Sequence, residues 1–308
     1  MKFPLLYLCS LLPKNWTFLR WHFFIPFGSW RQFATFFLLW VLSISKLAAA
    51  PENIVAAENF YGSVAEQIGG STVKVVNILN HPNQNPHEFQ ADVATAKAIA
   101  NADIVIFNGL GYDDWMEKLV GIPGKPHRVV IRVADLIDAK PGNNPHLWYD
   151  PKTISSLATK LSQVLNHPHA ALVFHKSMQP LFNKIAALKK KTSGVKVTAT
   201  EPLFGYMAAT LGFDMLNYDY QLAVMNDTDP NFMQTVNFEK SLTDHTIKIL
   251  FYNNQVTAPS AQRMLSIAKE HGIPIVGITE TQPISTKNYV EWMISELSKI
   301  ENVLKPVK

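Results

Sequence analysis

The sequence predicts an α/β fold of two lobes, each a small parallel sheet flanked by helices, joined by one long helix. Three observations carry this expectation. From Asn53 onward strand-like and helix-like runs alternate, the pattern of parallel sheets covered on both faces. With 308 residues and 47% hydrophobic side chains, the chain is long enough for two modest α/β domains, each with its own core. Between the alternating halves, a helical run extends from Pro168 to about Lys191; about 24 residues at ~1.5 Å each reach roughly 36 Å, a stiff rod between lobes. Pro180 opposes a straight rod, because an interior proline kinks a helix. The expected division is a leader over 1–50, an N-terminal lobe over 51–166, a linking helix over 167–192 and a C-terminal lobe over 193–308.

The first fifty residues differ in composition from the rest. Arg20 and Arg31 precede the apolar run Phe33 to Ile44, and Ala48-Ala49-Ala50 follows, the order of basic flank, apolar core and small-residue exit in a secretory leader. The run is about half the ~20 residues of a spanning helix, which argues against an anchor. Cys9, the only cysteine, lies in this leader. The mature chain is therefore expected to have no disulfide, no thiolate ligand and no cysteine to carry a lipid, and to be soluble in a periplasm with its signal peptide removed.

In the first half, Ile54 to Ala57 reads as a buried strand, Phe60 to Ile68 as a helix closed by Gly69-Gly70, and Val73 to Leu79 as a second strand. Helix Val93 to Asn101, strand Ile104 to Phe107 and strand Val129 to Val133 follow. Asp150-Pro151 is a helix start, an N-cap before a proline whose missing N–H is harmless there; Ile154, Leu157, Leu161, Val164 and Leu165 keep helical spacing. In the second half, Val195 to Thr200, Ile247 to Tyr252 and Ile273 to Ile278 read as strands. Ala261 to Glu270 and about Lys287 to Leu304 read as helices. The Asp- and Asn-rich stretch from Asn217 to Pro230 reads as a mobile loop.

Four metal-capable side chains, His87, His146, Glu201 and Glu280, sit where strand-like runs give way to loops, two in each half. The carboxyl ends of the strands in such lobes face one crevice, so these residues can converge on a single ion. Taken alone, each has a plain structural reading: a solvated loop histidine, or a carboxylate at a helix N-terminus. The repeated tripeptides Asn85-Pro86-His87 and Asn144-Pro145-His146 and the matched placement of the carboxylates strengthen the set. His81, His127, His167, His169, His175, His245 and His271 show no such pattern.

Together these segments resemble the metal-binding solute-binding proteins of ABC transporters, the zinc/manganese (cluster A-I) family. The resemblance rests on Asn85-Pro86-His87-Glu88-Phe89, Asn108-Gly109-Leu110-Gly111 through Trp115, His146-Leu147-Trp148, Thr200-Glu201-Pro202 with Phe204-Gly205-Tyr206, and Val276-Gly277-Ile278-Thr279-Glu280, in order. It implies two lobes joined by a long helix, with His87, His146, Glu201 and Glu280 as the metal ligands. The chain departs from the family's zinc members in having Glu201 where histidine is frequent, Glu280 where aspartate is usual, and no acidic, histidine-rich loop between Lys118 and Asn144.

The expected function is periplasmic capture of a divalent transition metal between the lobes and its delivery to an ABC transporter membrane permease, by a monomer that is not an enzyme. Two imidazoles and two carboxylates favour Mn²⁺ or Fe²⁺ by ligand hardness, while the general affinity order favours Zn²⁺. The alternatives are a secreted metallohydrolase with a His/carboxylate-bound zinc and a metal-binding adhesin. A catalytic zinc keeps an open position and a nearby base, and no His-Glu-x-x-His helix occurs. The formal charge of +4 includes leader and C-terminal lysines and arginines, and no basic patch interleaved with aromatics points to nucleic acid.

Overall fold

The structure is a computed structural model and describes residues 50–81, 84, 86, 89–255 and 258–305. The signal-peptide assignment therefore falls outside the described residues. Each lobe holds one four-stranded, all-parallel sheet. The first is ordered β2-β1-β3-β4, from β1 (Glu52–Glu58), β2 (Val73–Leu79), β3 (Ile104–Phe107) and β4 (Val129–Arg132). The second is ordered β6-β5-β7-β8, from β5 (Lys196–Ala199), β6 (Asp214–Leu216), β7 (Ile249–Asn253) and β8 (Ile275–Ile278). In both sheets the order in which strands are added reverses between the second and third positions. The crevice at the carboxyl ends of those two strands is where open α/β sheets bind ligands.

The first lobe carries helices α1 (Asn59–Gly69), α2 (Val93–Ala100) and α3 (Asp114–Val120), and α4 (Pro151–Val164) leaves it. Asp150 caps α4 through the Lys152 N–H, with Pro151 in the first turn, as the sequence predicts. The linking segment differs from a single rod. It divides at Met178 into α5 (Ala170–Ser177) and α6 (Gln179–Thr192). Pro180 in the first turn of α6 cannot donate to the Lys176 carbonyl, so the ladder breaks there. The second lobe carries α7 (Gly205–Thr210), α8 (Tyr218–Met225), α9 (Phe232–Thr243), α10 (Pro259–Glu270) and α11 (Tyr289–Val303). Most of the stretch read as a mobile loop, Asn217 to Pro230, is thus helix α8. It escaped detection because its apolar positions follow no helical stripe, although Tyr220 and Gln221 are buried.

The lobes share one core. A continuous hydrophobic cluster runs from Ile54, Phe60 and Ile104 through Trp148, Tyr149, Leu157 and Leu181 to Val197, Phe251, Trp292 and Ile300. An aromatic row makes the crossing: Phe60 stacks on Trp148 at 4.5 Å, Tyr149 meets Phe204 edge-on at 5.4 Å, and Phe204 lies 4.9 Å from Phe251. Helix α11 returns from the second lobe to pack on α6 and α1. Interiors of this kind are close-packed and resist continuous deformation.

Candidate metal centre

Of the four predicted ligands, His146, Glu201 and Glu280 are described, and His87 lies outside the described residues. The three are almost fully buried and come together at the carboxyl ends of both sheets. Among the described residues no three His, Cys, Asp or Glu side chains close to metal-holding geometry by themselves.

His146 is presented by the turn that follows Pro145. Asn144 folds back on it, its Oδ1 accepting from the His146 backbone N–H at 3.1 Å and lying 2.7 Å from the ring Nδ1. The Asn144 Nδ2 donates to the Pro202 carbonyl at 2.7 Å, so the amide orientation is set by partners on both sides. Nδ1 therefore carries the proton, and Nε2 is the unprotonated ring nitrogen. Trp148 meets the imidazole edge-on at 5.3 Å and Tyr112 at 6.1 Å, which fixes the ring plane.

Glu280 follows β8, and both of its oxygens are held. Tyr112 Oη donates to Oε1 at 2.9 Å and Asn253 Nδ2 to Oε2 at 2.7 Å. Gln255 Oε1 accepts from the backbone N–H of Glu280 at 2.6 Å and of Thr281 at 3.0 Å, pinning the turn. Burial first, then the charge of Glu280, holds the Tyr112 phenol well above its usual range, so it stays a donor.

Glu201 lies two residues beyond β5, in extended backbone before Pro202. Its Oε1 is buried without a hydrogen-bond partner. Burial, then the Glu280 charge, pushes its carboxyl up to about 8, against a hydrogen bond from Asn253. No ion pair among the described residues neutralises Glu201 or Glu280. Two buried carboxyls, one with an orphaned acceptor, and an oriented imidazole are the donor types that a hard to borderline divalent cation takes.

Several supports went undetected in the sequence. Tyr112, Asn144, Asn253 and Gln255 orient the donors, yet none has a spacing that signals a ligand. Asn144 had the best available signal, its place in the repeated Asn-Pro-His. The Asn108-Gly109-Leu110-Gly111 segment proves to be a tight turn with positive φ at Gly109, Leu110 and Gly111, which the two glycines accommodate. The Asp227 charge also raises the Glu201 carboxyl.

Over residues 54–303 the chain matches the family described as zinc-uptake complex component A, periplasmic. It is 26% identical over 251 residues to the manganese-binding lipoprotein MntA of Bacillus subtilis, covering 75% of this chain and 80% of that one. It is 22% identical over 283 residues to the iron-binding protein YfeA of Yersinia pestis, covering 83% and 88%. It is also 20% identical to the zinc-binding protein AdcA of Streptococcus pyogenes, covering 86% and 58%. Among solved structures, the Mn-bound periplasmic metal binding protein of Candidatus Liberibacter asiaticus superposes with a TM-score of 0.66 at 19% identity, covering 82% of this chain and 100% of that one. The periplasmic zinc binding protein TroA of Treponema pallidum gives 0.65 at 16% identity, covering 83% and 99%. The two-lobed fold is shared with both.

Proposed function

Because the chain belongs to the family of zinc-uptake complex component A, periplasmic, we propose that it captures a divalent transition metal outside the cytoplasm and delivers it to an ABC transporter permease for uptake. The ion sits between lobes 51–166 and 193–308, linked by 167–192, with His87, His146, Glu201 and Glu280 as donors. The observation that carries the proposal is Glu201: a buried carboxyl with an orphaned oxygen, next to a second buried carboxyl and an imidazole whose Nδ1 is already engaged. A cation supplies the missing partner.

Receptor rather than hydrolase is supported by Glu280, whose oxygens are both held by Tyr112 and Asn253. A carboxylate so fixed suits ligation better than the proton shuttling of a general base. The oxygen-rich donor set favours Mn²⁺ or Fe²⁺, with Zn²⁺ competing through its higher general affinity. The test is elemental analysis of protein purified from its native envelope, followed by calorimetric titration of the metal-free protein with Mn²⁺, Fe²⁺ and Zn²⁺. One tightly bound ion per chain is expected. Protein that takes up none of the three would sink the proposal.

A further inference from the structure

Glu58, the last residue of β1, takes no part in the donor set described above. It is fully buried, as are Asp113 and Asn108 beside it. Neither Glu58 oxygen meets a hydrogen-bond donor, although the Asp113 carboxyl stands within hydrogen-bonding reach. Both oxygens of Asp113 are used: Oδ2 accepts from the Asn108 backbone N–H at 2.6 Å and Oδ1 from the Gly109 N–H at 2.7 Å. Two buried carboxylates facing each other without a counter-cation are strongly unfavourable, whereas one proton between them gives Glu58 a donor and Asp113 a third bond.

We propose that Glu58 is a positioning residue that holds one proton, donates it to Asp113, and through this acid pair fixes the turn that presents His146. The path is continuous. Asp113 clamps the backbone of Asn108 and Gly109. The Asn108 side chain is set by Tyr61, whose hydroxyl donates to Oδ1 at 2.6 Å, and its Nδ2 donates to the Gly109 carbonyl at 2.8 Å and the Pro145 carbonyl at 2.9 Å. Pro145 immediately precedes His146. The groups facing Glu58 agree with a retained proton: Asp113 and Glu280 are acidic, and Tyr61 and Tyr112 are buried phenols. Burial and the Asp113 charge hold the Glu58 carboxyl well above its usual range, and burial moves Asp113 to about 6 despite its two backbone donors.

The inference about His146 rests on the proposed metal site, while the proton does not, so the test has two arms. In the first, Mn²⁺ affinity is measured for wild type, Glu58→Gln and Glu58→Ala. Glutamine keeps a donor toward Asp113 and is expected to bind within threefold of wild type, whereas alanine leaves the turn unclamped and should weaken binding ~10-fold or more, the scale of lost outer partners. In the second, infrared spectra of metal-free wild type and Glu58→Gln are subtracted near neutral pH. A protonated-carboxyl carbonyl band is expected in wild type only, and Glu201 cancels because both proteins carry it. Equal weakening in both variants, wild-type affinity in Glu58→Ala, or no band in the difference spectrum would each overturn the proposal. If Glu58→Ala does not fold, Glu58→Gln and the infrared arm still decide. Wild type that binds no metal would defeat the metal site and leave the infrared result standing.

Discussion

The two sheets are topological copies, and their equivalent strands end in similar side chains put to different uses. In the first lobe β1 ends at Glu58 and β3 leads into Asn108; in the second β5 leads to Glu201 and β7 ends at Asn253. Both glutamates are buried and both carboxyls are raised, chiefly by desolvation. What separates them is the neighbour. Glu58 faces Asp113, whose oxygens each already accept a backbone N–H and still offer a lone pair, so in the proposed pair a proton relieves both. Glu201 is raised by the Glu280 charge and keeps an orphaned oxygen, and in the proposed site a cation relieves it. On these proposals, the groups beside a carboxyl, more than its position in the fold, decide which positive charge it takes.

The sharpest way to break this comparison is to remove each glutamate in turn. Glu201→Ala and His146→Ala should each lower Mn²⁺ affinity by more than ~100-fold, beyond what outer-sphere losses cost, with the fold retained, because neither side chain belongs to the hydrophobic core. Calorimetry on both variants checks this. Binding within threefold of wild type would place the ion elsewhere.

The next largest effect is on pH dependence. The Glu201 carboxyl is raised from 4.5 to about 8. Between these values the folded, metal-free protein keeps a proton that the unfolded chain has released, so the penalty for this group is absent below pH 4.5, grows as pH rises, and is complete above about 8. Metal-free protein should therefore lose urea resistance from pH 5 to 8, and Glu201→Gln should flatten that slope. Metal affinity should rise over the same window, with proton release on binding near neutral pH. A slope unchanged in Glu201→Gln would assign it to other groups.

The asparagines sharpen the contrast further. Asn253→Ala removes the donor to Glu280 and Glu201 directly and should weaken binding by ~10–100-fold. Asn108→Ala acts only through the backbone before His146 and should cost less. The reverse order in titration would mean that the first lobe dominates the site. Glu201→His, which replaces a hard oxygen with an imidazole nitrogen, should move the Zn²⁺/Mn²⁺ preference toward zinc; competition titration with an unchanged ratio would remove Glu201 as the selectivity determinant.

Much of this was legible in the sequence where one strong pattern sufficed. The apolar runs at Val73 and Ile104 became β2 and β3 residue for residue, the run at Ile54 became the middle of the longer β1, and Asp150-Pro151 marked the start of α4. Short or mixed elements were not legible: β6 has only three residues, and α3, α7, α8 and α9 lack a clean apolar stripe. The linking helix was read as one rod with Pro180 as the objection, and Pro180 marks the break. The proposed donors were read from residue type and strand exits. Their supports could not be, since Asn253, Gln255 and Tyr112 act through distances that chain order does not encode.

The smallest expected effect concerns the seam between the lobes. Asn59 opens α1 directly after Glu58, and Gln282 lies two residues past Glu280; Asn59 Nδ2 donates to the Gln282 carbonyl at 2.8 Å, and the Gln282 N–H returns to Oδ1 at 3.2 Å. This reciprocal pair ties the Glu58 end of the first sheet to the Glu280 turn of the second. Asn59→Ala leaves two partly buried backbone groups without their partner, a loss of about 1–2 kcal/mol in stability. The shared aromatic core should keep the lobes together, so the denaturant slope should stay the same while the midpoint falls. Metal release, measured by chelator-driven dissociation, should quicken by a few-fold, because the Glu280 turn loses one of its anchors. A release rate identical to wild type, with the stability loss present, would show that the seam holds the lobes but does not gate the ion.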